Sequence, residues 1–398
     1  MRFKLGFVFL VLVSCSGKPN SDSPDSPMVV DVEAALGKTG NIYASSFIER
    51  FEYIPLEYSD KTLIQALKKP LIINDTTILL IGFRRITLFD RSTGSYIKDI
   101  GHYGNDPGGY RNTISDLVYN AENSSVYANG WKSEYLEYSI ESGQIIGKIK
   151  KPTNLSNLDL DAEIYIREMA KISPDTFVGF KSNSSGDYPY RLMVFNKSGE
   201  ISKLFKNHQS FIYKGRVTRY AKDGQFHHYN NQLFFKELFN DTLYMVNQDT
   251  LVARYLFELG DKSPPYARRA MLDYETERPK FAFLTDFIET DEALIFTTSY
   301  GNINRISLYD KKQNETIISS SDNGYELSKG MINDLDNFIP FHPTELQGNY
   351  MLGLTTAEEV SIWFENNADK VASLPASLQK LKDIDPEGNP IVMIGRMK

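Results

Sequence analysis

Ile100-Gly101-His102-Tyr103-Gly104-Asn105-Asp106-Pro107-Gly108-Gly109-Tyr110 is the stretch from which the fold is read. Four glycines and one proline in these eleven residues exclude a helix interior and a central strand. Strand-like segments flank it, Ile86–Asp90 and Tyr96–Ile100 before and Leu117–Ala128 after. It therefore reads as an elaborate turn carrying the chain from one small sheet to the next. Taken alone, its backbone N–H groups would also suit an anion. The surrounding repeats favour a connection whose glycines serve backbone geometry, leaving His102, Tyr103 and Asp106 to face a ligand.

Outward from this turn the same order recurs. Thr77–Ile81 is an apolar strand, a polar turn with Arg84-Arg85 follows, Ile86–Asp90 is the next strand, Gly94 marks a tight turn, and Tyr96–Ile100 closes the unit. Ser125–Asn129, Tyr135–Ser139, Gly143 and Gln144–Ile149 repeat it. So do Thr176–Phe180, Leu192–Asn196, Gly199 and Ile201–Phe205. A looser copy holds Gln232–Phe235, Asn240–Val246 and Ala253–Glu258, and a fifth holds Ala293–Thr298, Arg305–Asp310 and Thr316–Ser319. The steps from Phe89 to Tyr138, Phe195, Met245 and Tyr309 are 49, 57, 50 and 64 residues. Three or four short strands recurring at about 40 to 50 residues mark a β-propeller blade, a pattern that a β-sandwich does not repeat five times.

The tail departs from the repeat. Thr355–Asn366 starts with a capping threonine and acidic residues and sets Val360, Trp363 and Phe364 on one face, as an amphipathic helix does. Leu378–Ile384 predicts a second helix and Pro390–Met397 a last strand. A propeller removes its free edge when one blade takes strands from both chain ends. Phe47–Leu56 and Pro390–Met397 are thus expected to share a closing blade with the helices inserted in it. Five copies plus this composite give an all-β, six-bladed propeller over 31–398.

The N-terminus predicts an address. Met1-Arg2-Phe3-Lys4 is cationic, and Leu5–Val13 is a largely apolar run too short to span a bilayer. Leu12-Val13-Ser14-Cys15 resembles the lipobox of bacterial lipoproteins, which implies cleavage after residue 14 and a lipid on Cys15. Cys15 is the one cysteine, so no intrachain disulfide is available. Residues 15–30 read as the lipidated cysteine and a flexible Ser/Pro/Asp tether, and Ser16 rather than Asp fits outer-membrane sorting. The formal charge of −7 becomes −9 without Arg2 and Lys4, which argues against nucleic acid as a partner.

At this point a resemblance applies. Tyr53-Ile54-Pro55-Leu56, Leu88-Phe89-Asp90, Ile100-Gly101 through Pro107-Gly108-Gly109-Tyr110, Asp241-Thr242-Leu243-Tyr244 and Asn389-Pro390-Ile391-Val392 resemble the six-bladed β-propeller lipoproteins of Gram-negative gut bacteria, a family loosely related to NHL and TolB-like propellers. The family usually has an acidic residue before the motif tyrosine; here it is Gly109. The resemblance implies fold and address and no defined activity.

Chemistry is less legible. Gly37-Lys38-Thr39 lacks the upstream glycine of a phosphate loop, which would fall at Val32. Asp383-x-Asp385-x-Glu387-Gly388 begins like a calcium loop, but Ile394 stands where a bidentate Glu is needed. None of His102, His208, His227, His228 and His342 pairs with another at helical ligand spacing, and adjacent His227 and His228 point to opposite faces of a strand. No metal site, catalytic constellation or cofactor is expected. Candidate ligand-binding residues are His102, Tyr103, Asp106, Arg111, Arg84, Arg85, Arg216 and Arg219, with Arg167, Arg191 and Tyr220 also in or near connections. Arginines there suit a carboxylated or phosphorylated ligand, and aromatic rings stack on sugar faces. The expected function is a monomeric envelope lipoprotein binding a glycan, a peptide or an envelope protein. The alternative is a propeller enzyme, a lyase or hydrolase, with its site at the channel mouth.

Overall fold

A computed structural model describes residues 26–64, 69–82, 84–111, 118–152, 166, 168–218, 220, 222–320 and 328–398. The expected signal peptide, Cys15, Arg167 and Arg219 lie outside the described residues.

Six sheets form six propeller blades. Blade 1 runs Lys69–Asn74, Thr77–Ile81, Ile86–Asp90, Tyr96–Asp99, and blade 2 Val118–Asn120, Ser125–Asn129, Glu134–Ser139, Ile145–Lys150. Blade 3 runs Glu168–Ser173, Thr176–Phe180, Tyr190–Asn196, Ile201–Lys206, and blade 4 Gly224–Tyr229, Gln232–Glu237, Thr242–Val246, Leu251–Glu258. Blade 5 runs Phe283–Glu289, Ala293–Tyr300, Ile303–Asp310, Glu315–Ile318. Blade 6 takes Pro343–Gln347, Tyr350–Thr355 and Ile391–Met397 from the C-terminal part and adds Ile48–Pro55 outermost, antiparallel to Ile391–Met397. The first strand of each blade lies innermost, and these strands neighbour one another around the axis.

The core explains why the strands read as continuous apolar runs. Blade faces pack on both neighbours, so alternate residues of one strand fill two different seams. In blade 3, Phe177 and Phe195 enter the seam with blade 2 beside Tyr127 and Tyr135, while Val178 and Val194 enter the seam with blade 4 beside Phe235. Blade 1 shares one apolar cluster with blade 2 and another with blade 6, and blade 5 shares one with blade 4 and one with blade 6.

The third-to-fourth strand turns repeat a local device. Asp90 Oδ1 accepts from the N–H groups of Ser92 (2.9 Å) and Thr93 (2.9 Å), and the chain reverses at Gly94 with φ +73°. Gly143 and Gly199 hold the matching places at φ +72° and +82°. In blade 5 Asn314 does so at φ +54°, the residue type that tolerates this region after glycine.

Two features differ from expectation. The sequence pattern overlooks the innermost strands of five blades and takes that of blade 2, Val118–Asn120, only as part of the Leu117–Ala128 segment. It also leaves Met28–Val30 in the tether, whereas Met28–Asp31 forms a strand parallel to Leu251–Glu258, a fifth strand on blade 4. Buried Val30, Val32 and Ala35 explain this, because they extend the blade 4–5 seam.

The insertion in blade 6 lies between Tyr350–Thr355 and Ile391–Met397. Helix Ala357–Asn366 opens with a capping box in which Thr356 and Glu359 satisfy each other's backbone N–H. Val360, Trp363 and Phe364 face inward, with Trp363 edge-on to Phe338. The expected second helix is a short turn, Ala376–Gln379, followed by a 3-10 turn at Lys380–Asp383. Among the described residues no helix is long and apolar enough to cross a membrane.

Candidate functional site at the channel mouth

Connections between blades, and those between the second and third strands within a blade, emerge on one face of the propeller. On this upper face a cavity of about 600 Å3 opens where blades 4, 5 and 6 meet. Its walls come from the starts of three inner strands and from the long connection 259–282 between blades 4 and 5.

Asp286 is the most unusual residue there. It lies within the inner strand Phe283–Glu289 at φ +55°, where the register shifts between Thr285 and Ile288. Left-handed backbone in a non-glycine residue costs about 1 kcal/mol or more, and a bulge re-aims a side chain. The distortion is held by neighbours. The Asp286 N–H donates to Gln225 Oε1 at 2.8 Å, and the Thr285 hydroxyl donates to Asp286 Oδ2 at 2.9 Å. Lys222, just ahead of the blade 4 inner strand, forms an ion pair with Asp286 Oδ1. Burial pushes the Asp286 carboxyl up, and the Lys222 ammonium with the hydrogen bonds more than offsets it, leaving the group below the usual carboxylate range.

His342 enters from just ahead of the blade 6 inner strand and places Nε2 3.3 Å from Thr297 Oγ1. Burial drives its imidazole below the ordinary value of 6.5; the Asp286 charge opposes this and Lys222 reinforces it. The ring is therefore neutral at pH 7 and offers one donor and one acceptor. Glu359 reaches the cavity from the helical insertion, its Oε2 accepting from Thr356 N–H at 2.9 Å and from the Thr355 hydroxyl at 3.1 Å.

The remaining wall, with Tyr274 and Arg278, is carried by connection 259–282. A buried ionic network fixes it. Arg269, 1% exposed, donates from Nη1 to Glu237 Oε1 and from Nη2 to both Asp223 oxygens, each at 2.6 Å. Arg191 Nε donates to Glu237 Oε2 at 3.0 Å. Under the connection, Tyr266 and Leu272 pack on Tyr220, Leu238, Phe239 and Phe283.

The residues singled out from sequence fall mostly elsewhere on the same face. Arg84 lies over the Tyr103 ring (4.6 Å), Tyr103 adjoins Trp131 (6.2 Å between ring centres), and Arg111 lies over Trp131 (5.3 Å). All four are exposed and sit above blades 1 and 2. His102 Nε2 and Asp106 Oδ1 form an exposed pair at 2.8 Å. Arg85 serves the scaffold, with a bidentate pair to Asp99 at 2.7 and 2.9 Å and a bond to the Lys61 carbonyl. Arg216 is exposed on the connection into blade 4, and Arg191 belongs to the buried network. The structure thus brings Arg84, Tyr103 and Arg111 together and places none of the seven described candidates among the residues lining the cavity, whereas Tyr220, noted only as near a connection, lines it. Asp286, Lys222 and Arg278 escaped sequence reasoning, and His342 was weighed there only as a metal ligand. For Arg278 and Asp286 the signal was the 64-residue step to blade 5, which marks an over-long connection; Lys222 and His342 lie outside that step. Among the described residues no group of three or more His, Cys, Asp or Glu is arranged to hold a metal ion.

Comparison with known proteins places the chain. A family model described as a domain of unknown function, DUF4934, matches residues 27–396. A solved protein of Bacteroides fragilis NCTC 9343, named as a candidate exported protein, superposes with TM-score 0.65 at 13% identity, covering 94% of this chain and all of that one. This likeness carries the fold. A DUF4221-family protein of Bacteroides vulgatus is more distant, with TM-score 0.49, 12% identity and coverage of 88% and 97% of the two chains. No curated protein matches the chain.

Proposed function

The chain belongs to the DUF4934 family, whose description assigns no activity, and from that premise we propose that it is an exported, lipid-anchored binding propeller whose ligand sits in the mouth cavity. The observation that carries the binding reading is Asp286. A strained aspartate in an inner strand, held at a bulge by Gln225, Thr285 and Lys222, spends stability on aiming a carboxylate into an open cavity. A cavity of this size with convergent polar groups suits a ligand of one to a few sugar or amino-acid units.

Export and anchoring rest on the cationic, apolar, lipobox-like N-terminus and agree with the name of the Bacteroides fragilis protein. On this reading residues 1–14 are a signal peptide, Cys15 carries lipid, and the propeller stands on the outer membrane as a monomer of the NHL/TolB-like type. Replacing Cys15 with Ala is expected to release the protein from the membrane fraction; a variant that still sediments with membranes would refute the anchor. For the site, thermal shift against glycans and muropeptides is expected to yield a stabilising ligand whose effect disappears in Asp286→Asn. A ligand that stabilises the variant equally well would place binding elsewhere.

A further inference from the structure

Arg278 is a cation built into the cavity wall without an anionic partner among the described residues. Its guanidinium lies 4.8 Å from the centre of the Tyr274 ring and 5.1 Å from that of Phe283. Its Nε is buried and has no hydrogen-bond partner among the described residues. The contrast with neighbouring cations is chemical. Lys222 is neutralised by Asp286, Arg268 by Glu277, and Arg269 by Asp223 and Glu237. Among the described residues Arg278 is held by rings, which orient a guanidinium over their faces without consuming its N–H donors. A buried donor left unmade is costly, and a low-dielectric wall strengthens whatever anion satisfies it.

The rest of the lining bears on what carries that anion. Beside the Lys222–Asp286 pair, His342 and Glu359, the threonines and serine at 285, 297, 299 and 344 contribute hydroxyls, Asn304 an amide, and Tyr274 a ring that is 60% exposed. Hydroxyl and amide groups match sugar hydroxyls, and an open aromatic ring matches the apolar face of a pyranose. We propose that the mouth cavity takes a short acidic saccharide, its anionic group seated on Arg278 and its hydroxyls on the threonine- and serine-lined wall. This inference rests on the cavity being the binding site and adds the charge and class of the ligand.

The test uses the purified full chain and calorimetric titration with matched pairs. The acidic members are glucuronic acid, galacturonic acid and their trimers, N-acetylneuraminic acid, and galactose 6-sulfate and 6-phosphate; the neutral members are the methyl esters or parent sugars. At least one acidic member is expected to bind tenfold or more tightly than its neutral partner, with affinity falling as salt rises. The carboxylate, sulfate and phosphate arms identify the anion. Arg278→Gln is expected to abolish the preference, Arg278→Lys to retain part of it through charge without the planar fork, and Arg216→Gln to leave it intact. Equal binding of acidic and neutral partners, or a preference surviving Arg278→Gln, overturns the inference, as does the absence of binding by every acidic member. Neutral sugars that bind and lose affinity in Asp286→Asn would keep the cavity as the site and overturn only the anion. Acidic tripeptides binding more tightly than any saccharide would overturn the saccharide class.

Discussion

Blades 1 and 2 and blades 4 to 6 each present cations beside aromatic rings on the same face, under opposite conditions. Above blades 1 and 2, Arg84, Tyr103, Trp131 and Arg111 form a row in open solvent, and the His102–Asp106 pair has side chains 57% and 52% exposed. At the mouth, Arg278 is packed between rings, Asp286 is held by three neighbours, and the wall behind them is tied down by Arg269 at 1% exposure. Similar residue types thus differ in desolvation and in how firmly they are held. Exposed pairs are screened and contribute little, whereas recessed groups keep their electrostatic strength and their geometry. Composition alone ranks the two regions equally, and burial separates them.

The contrast makes graded predictions. The largest effect belongs to Arg269→Met, which removes the cation shared by the buried Asp223 and Glu237 and leaves Glu237 with Arg191. Urea denaturation is expected to register a loss of about 3 to 5 kcal/mol, as when one partner of a buried ion pair is removed. A loss below about 1 kcal/mol would mean that connection 259–282 is anchored by its apolar underside instead.

Asp286→Gly comes next and works in two directions. Glycine relieves the left-handed backbone at φ +55° while deleting the ion pair with Lys222. Stability is expected to stay within about 1 kcal/mol of the parent chain, with ligand-induced stabilisation lost. A large destabilisation would show that the carboxylate is needed for folding, and the functional reading of the strain would fail.

Acidification should act through His342. Its folded value is depressed below 6.5, so the folded state disfavours the proton that the unfolded chain accepts. Stability is therefore fully present above about 6.5 and declines as pH falls through that value toward the folded one. Thermal melts of the parent chain and of His342→Gln between pH 7.5 and 5 are expected to diverge, with the flatter profile in the variant. Parallel profiles would show that the imidazole is not held neutral.

The smallest effect is expected over blades 1 and 2. Asp106→Asn and His102→Gln should leave the melting temperature unmoved at either low or high salt, because both groups already face water. A clear shift would promote the Ile100–Tyr110 connection from an exposed surface to a structural brace.

That connection also illustrates what was legible. Gly101 adopts φ +60°, and the Tyr138 hydroxyl reaches across from blade 2 to the Gly108 carbonyl at 2.8 Å. A turn between two blades was readable from its glycines, but the tyrosine that pins it belongs to a strand whose apolar pattern gives no hint of this contact. The outer strands were readable for a related reason. Phe89, Tyr138 and Phe195 recur at one place in each blade because both faces of a blade are buried. Inner strands such as Gly224–Tyr229 and Pro343–Gln347 border the channel and mix polar with apolar residues, so no single period describes them.

Local chemistry along the chain was therefore enough for blade count, turn placement and the capped helix of the last blade, since each depends on neighbours a few residues apart. The mouth depends on residues 222, 278, 286 and 342, which meet only when three blades close around an axis. The backbone of Asp286, the neutral state of His342 and the ring-held guanidinium of Arg278 come from burial and from partners distant in sequence, quantities that residue order does not display until the sheet rows are packed.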